Sequence, residues 1–198
     1  MKEILYDWGG ANIWLFHFIN NIRYEYLDKF MLLGTELGEH ALFPLYIGLF
    51  TLTALSAVAK NPARGQAKRW MSVMAVFCIA YLLDGWLIGT LKPLLDFPRP
   101  PLALPTGTVQ IIGKAEYHHS LPSGHSSFAM LCVASLWPVL NRYARVAGMF
   151  FVLWVGVSRV SLGAHFPADV AAGFLSSLAV VLLAYAGVQA YTRHIDRY

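Results

Sequence analysis

The chain has 198 residues, of which 57% are hydrophobic and only 13% charged, with a formal net charge of +4. An average soluble domain is about 25% charged, so a disordered tail, a disulfide scaffold (two cysteines) and a nucleic-acid binder are excluded. An integral membrane protein fits.

The opening MKEILYDWGG lacks the charged, then apolar, then small order of a cleavable signal peptide. Insertion is therefore expected to be driven by internal apolar segments. In residues 11–36, Leu15, Ile19, Ile22, Tyr26, Phe30 and Leu33 form a stripe at helical spacing. Asn20, Asn21, Arg23, Glu25, Asp28 and Lys29 interrupt any crossing of the bilayer. An amphipathic helix lying in the interface is expected here, with a sixth span as the alternative.

Five stretches approach the roughly 20 apolar residues that a bilayer core requires. They are 41–59, 70–91 with the single acid Asp84, 123–140, 146–162 with Arg159 near its end, and 170–192. The expected fold is an all-α membrane bundle of about five transmembrane helices, six if the N-terminal stripe also crosses. A single domain over 1–198 is expected, divided into an interfacial segment (1–38) and a transmembrane catalytic core (40–192). Asp84 is expected to face the bundle and hydrogen-bond to a neighbouring helix. Cys78 and Cys132 lie in apolar runs and read as small buried hydrophobes.

With five spans, three basic segments fall on one face. They contain Lys60, Arg64, Lys68 and Arg69; Arg142 and Arg145; and Arg193 and Arg197 against Asp196. Together they hold eight of the 15 basic residues and one of the 11 acids, leaving seven and ten elsewhere. The positive-inside rule places this face in the cytoplasm. The net charge is mostly topology and calls for no nucleic acid.

The opposite face collects the unusual residues. Lys92 is followed seven residues on by Arg99 and Pro100. Pro122, Ser123, Gly124 and His125 open the third span, and Ser158 and Arg159 close the fourth. His165 and Asp169 lie in and after the turn into the fifth. Singly, each has an ordinary explanation. Lys92 and Arg99 suit snorkelling, Pro122 and Ser123 suit a helix start, and Asp169 suits a cap. Together they put three cations, two histidines and a carboxylate at one end of a bundle. Such a set suits phosphoryl transfer, where catalysis is mostly positioning and electrostatic stabilisation. Arg99 and Arg159 can bind phosphate oxygens bidentately, and Ser123 and Gly124 sit where a helix N-terminus favours an anion.

This pattern resembles the three-part signature of the type 2 phosphatidic acid phosphatase family, which also includes glucose-6-phosphatase and the vanadium haloperoxidases. The match is complete in residue type and spacing, and the family core corresponds to roughly residues 40 to 190. The resemblance implies that His165 is the nucleophile, with Asp169 holding its other ring nitrogen and His125 as general acid and base. Lys92, Arg99, Ser123, Gly124 and Arg159 would bind the phosphate. Clustered metal ligands are not evident, so a metal-independent enzyme without a cofactor is expected.

The expected function is hydrolysis of lipid phosphate or pyrophosphate esters of the phosphatidic acid, phosphatidylglycerol phosphate or undecaprenyl pyrophosphate type. It would proceed through a phosphohistidine, on the periplasmic or extracellular face of the plasma (bacterial inner) membrane. The partners are then a lipid phosphate substrate and the bilayer, with no oligomeric state indicated. Alternatives are a lipid phosphotransferase, a soluble-ester phosphatase or a phosphate-binding transporter. The lack of charge in 41–59 and 170–192 counts against the transporter. The 101–121 loop, with Lys114, Glu116, His118 and His119, is expected to be solvated, the alternative being that it shapes a headgroup site.

Overall fold

A computed structural model describes residues 6–195; Asp196 and Arg197, counted above in the basic tail, lie outside them. All regular structure among the described residues is helical. We number the helices α1 (Ala11–Asn20), α2 (Glu25–Leu37), α3 (Phe43–Lys60), α4 (Arg64–Leu95), α5 (Gly124–Leu136), α6 (Arg142–Ser161) and α7 (Pro167–Ile195), with short turns at Trp8–Gly10, His40–Leu42 and Pro100–Ala103.

Four segments are long and apolar enough to cross a membrane: His40–Lys60, Gly65–Ala103, Arg142–Ser161 and Pro167–Ile195. The third expected span is shorter than its apolar run. At 13 residues, α5 is about 20 Å long at 1.5 Å per residue, and the chain turns at Trp137 and Pro138. It need not span alone, because it is the central helix, packed by α4, α6 and α7. Phe128, Leu131 and Cys132 of α5 meet Val76, Phe77 and Ala80 of α4 and Val180, Val181 and Ala184 of α7. At the α5–α7 crossing, a Cβ on Gly173 would collide with the Ser123 carbonyl oxygen and stand 3.2 Å from the Ser127 amide, so hydrogen is required there.

Outward positions are as apolar as the core. Leu52 is 66% exposed, Leu82 70% and Leu183 70%, a girdle that water would not favour and lipid would. Asp84 is fully buried on α4 and accepts from the Ser127 hydroxyl of α5 at 2.7 Å. Cys132 is buried and Cys78 partly so, and they are not bridged. At the basic end, an Arg69 guanidinium N–H donates to the Pro138 carbonyl, so the loop after α3 and the turn after α5 share one face.

The N-terminal stripe is not one helix. It breaks between α1 and α2, where buried Asn20 is committed to tertiary bonds. Its amide donates to Gln110 O (2.8 Å) and Ser161 O (2.9 Å) and accepts from the Gln110 amide (2.8 Å). Arg23 then donates to Asn20 O and pairs with Asp28 at 2.8 Å. Trp14 and Phe18 project outward from α1, while Phe30 of α2 stacks on Trp154 of α6 with ring centres 4.3 Å apart. This segment is thus built onto the core on one side and left apolar on the other.

Candidate active site

The connection from α6 to α7 is five residues, from Leu162 to Phe166, and it folds back on itself: the amides of Ala164 and His165 both donate to Arg159 O. Gly163 makes the turn at φ +76°, where a Cβ would also stand 2.6 Å from Gln110 O. This delivers His165, 1% exposed, into the bundle end. Asp169 enters one helical turn later, fully buried, its Oδ2 3.5 Å from His165 Nδ1.

Arg99 approaches from the segment after α4. Its backbone N–H donates to Tyr117 O (2.8 Å) and its Nε to His118 O (2.9 Å). Its Nη1 lies 3.3 Å from His165 Nε2. A guanidinium only donates, so Nε2 is the acceptor and Nδ1 carries the ring proton. That proton faces Ser120 Oγ at 3.3 Å, and the Ser120 hydroxyl donates in turn to Asp169 Oδ2 at 2.6 Å. Asp169 also accepts from the Phe166 amide (2.8 Å) and from the Tyr6 hydroxyl (2.8 Å). Burial, then the nearby charges of Arg99, Arg159 and Lys92, hold His165 well below the ordinary histidine range. It is therefore neutral, with its free lone pair at the atom beside Arg99. Burial, and secondarily Asp169, push the Tyr6 phenol up, so it stays a donor.

A cleft of about 460 Å³ adjoins this group, lined by His125, Arg159, Thr35, Glu39, Lys114 and Glu116 among others. His125 stands at the start of α5, its Nε2 2.8 Å from Glu39 Oε2. Arg159 is 9% exposed and donates from Nη1 to Thr35 Oγ1 at 2.5 Å. Its buried Nε has no partner among the described residues, a cost a bound anion would relieve. Lys92 is half-buried within electrostatic range of Arg99, Glu116, Arg159 and Asp169. Glu116 pairs with Arg99 at 2.6 Å.

The structure thus joins Arg99, His165 and Asp169 directly, and places Arg159, Lys92 and His125 around them. Ser123 is buried as the N-cap of α5, its amide committed to Asp169 O (3.0 Å) and its Oγ meeting Ser126. Gly124 is buried behind His125. Ser158 turns inward to Val155 O and does not face the cleft. His118 and His119 lie on exposed Asp96 at 3.5 and 3.1 Å.

Two expectations change. The 101–121 loop is not merely solvated, because Glu116, the Tyr117 and His118 carbonyls and fully buried Ser120 are built into the site. The N-terminal segment is not separate from the site either: it contributes Tyr6 and Thr35, and Glu39 follows directly. No local pattern could have revealed these, since Tyr6 lies 163 residues from Asp169 and Thr35 124 residues from Arg159.

The chain is an apolar helical bundle that carries a guanidinium-flanked, neutral histidine at one end. The chain belongs to the PAP2 superfamily, which it matches over residues 73–193. It is 29% identical over 142 residues to the lipid A 1-phosphatase of Rhizobium johnstonii, covering 68% of this chain and 57% of that protein. To the undecaprenyl-diphosphatase of Sulfolobus acidocaldarius it is 26% identical over 170 residues, 84% of this chain and 73% of the relative. The chain therefore spans little more than half the length of the lipid A 1-phosphatase. The crystal structure of Aquifex aeolicus LpxE superposes with a TM-score of 0.71 at 26% identity, covering 88% of this chain and 94% of that one. A transmembrane PAP2-type phosphatidylglycerolphosphate phosphatase from Bacillus subtilis shares the fold, with a TM-score of 0.64 at 22% identity over 98% and 90% of the two chains.

Proposed function

We propose that this protein is an integral membrane phosphatase, a single domain over 1–198, that hydrolyses lipid phosphate or diphosphate esters through a phosphohistidine. The observation that carries the reading is Arg99 Nη1 at 3.3 Å from the unprotonated Nε2 of His165, with Ser120 and Asp169 behind Nδ1. A phosphoryl group seated against Arg99, Arg159 and Lys92 would present its phosphorus to that lone pair. The relatives named as lipid A 1-phosphatase and undecaprenyl-diphosphatase support a lipid-linked substrate.

In the first half-reaction, Nε2 of His165 attacks phosphorus, the bond to the leaving oxygen breaks, and His125, entering as the imidazolium, delivers its Nε2 proton to that oxygen and becomes neutral. In the second, water attacks phosphorus, its proton passes to His125, and the P–N bond breaks to release inorganic phosphate. Asp169 and Ser120 hold the imidazole in its Nδ1–H form throughout. The reaction needs side-chain cations alone, and the site faces the periplasm or exterior, opposite the basic loops, with α1 lying along that interface. A lipid would reach the cleft sideways, keeping its tail in the outer leaflet.

The test is phosphate release from purified protein in detergent, with phosphatidic acid, phosphatidylglycerol phosphate and a polyprenyl diphosphate, in excess EDTA. Release from at least one of them, with an acid-labile phosphoenzyme trapped on rapid quenching, is expected. Loss of all turnover in chelator, restored by a divalent metal, would refute the metal-free route.

A further inference from the structure

On the reading above, the leaving oxygen must come to Nε2 of His125, because a carboxylate only accepts and Glu39 therefore marks Nε2 as the proton-bearing nitrogen. Glu39 stands 2.8 Å from that nitrogen, half-exposed in the same cleft. Any group reaching the proton thus comes within a few ångströms of a carboxylate. Glu36 lines the same wall. Lys114 also lines the cleft, but Glu39 is the group in contact with the histidine. The unpartnered, buried Nε of Arg159 marks where the transferred phosphoryl group sits.

We infer that Glu39 is a specificity-determining residue that selects phosphomonoesters of neutral lipid alcohols over lipid diphosphates. The two substrate types differ in what leaves. A monoester releases a neutral alcohol, which brings no charge beside Glu39. A diphosphate releases a phosphate, which brings a second negative charge beside that carboxylate. Unit charges about 4 Å apart interact appreciably even when well screened, and Arg159, the guanidinium within electrostatic range of Glu39, is engaged by the transferred phosphoryl group.

The experiment compares phosphatidic acid with diacylglycerol pyrophosphate, which share their tails and differ only in the leaving group, on wild type, Glu39→Gln and Glu39→Asp in detergent. Because Glu39 also touches the general acid, absolute values are read as well as the ratio. The expected result is a rise of about tenfold in kcat/KM for the diphosphate in Glu39→Gln, and no such rise in Glu39→Asp, which keeps the charge. Competitive inhibition should agree, with inorganic pyrophosphate tightening in Glu39→Gln more than inorganic phosphate. A change of ratio arising solely from lost monoester turnover, or an unchanged pyrophosphate-to-phosphate inhibition ratio, would overturn the inference. Wild-type protein that turns over neither of these lipids, nor phosphatidylglycerol phosphate, nor a polyprenyl diphosphate, would instead refute the phosphatase reading itself.

Discussion

The two histidines occupy opposite environments. His165 is 1% exposed, and both its ring nitrogens face fixed partners, Arg99 on one side and Ser120 with Asp169 on the other. His125 lines an open cleft and meets an exposed glutamate on a different segment. A group that must attack with one atom along one line gains from immobility, since small misplacements are costly. A group that must pass a proton to leaving groups of varied shape, and then take one from water, gains from access. The division also separates what the sites tolerate: the buried side punishes any change, and the open side sets selectivity.

The largest effect expected is on the buried side. His165→Ala should form no phosphoenzyme with any substrate. His125→Ala should lose lipid turnover by about 10²–10⁴-fold, the usual span of general acid–base catalysis. It should still be phosphorylated by an aryl phosphate, whose leaving phenolate needs little protonation. Rapid-quench trapping of both variants with both substrates checks this, and the reverse pattern would exchange the two roles.

Next come the residues that hold Asp169. Ser120→Ala leaves a buried carboxylate short of one donor, a loss of about 1–3 kcal/mol, and also removes the group facing Nδ1. We expect kcat to fall by one to two orders of magnitude with KM nearly unchanged. Tyr6→Phe should fall less, as Asp169 keeps Ser120 and the Phe166 amide. Rescue of Ser120→Ala by Ser120→Thr would separate hydrogen bonding from packing.

Orientation provides a binary test. A cysteine placed within 105–115 should react with a membrane-impermeant thiol reagent in intact cells, and one within 61–67 only after lysis. Identical labelling of both positions would sever the site from the outer face.

The smallest effect expected is on stability against pH. His165 is held neutral in the folded protein, whereas in the unfolded chain it titrates near about 6.5. Between those limits the unfolded state binds the extra proton, so the stability contributed by this group is intact above about pH 6.5 and declines as pH falls. Thermal melts in detergent from pH 7.5 to 5 should show His165→Gln losing less than wild type. Parallel slopes would mean the group is not held neutral.

Sequence by itself determined the class of protein and which residues would meet at one end of the bundle. Long runs with few or no charges are what burial in lipid requires, so α3, α4, α6 and α7 were legible. The spacing of Lys92 and Arg99, of Ser123 to His125, and of Arg159, His165 and Asp169 was legible because each block lies on one turn or helix end, where local geometry fixes relative position. Tertiary structure alone decided the rest. Whether the run at 123–140 must span depended on its neighbours, and at the centre of the bundle a 13-residue helix suffices. That Tyr6, Thr35 and Glu39 reach Asp169, Arg159 and His125 depended on α1 and α2 folding over the bundle end. Contacts between residues so far apart in the chain leave no period or spacing to read; only the packing of one surface on another brings them within bonding distance.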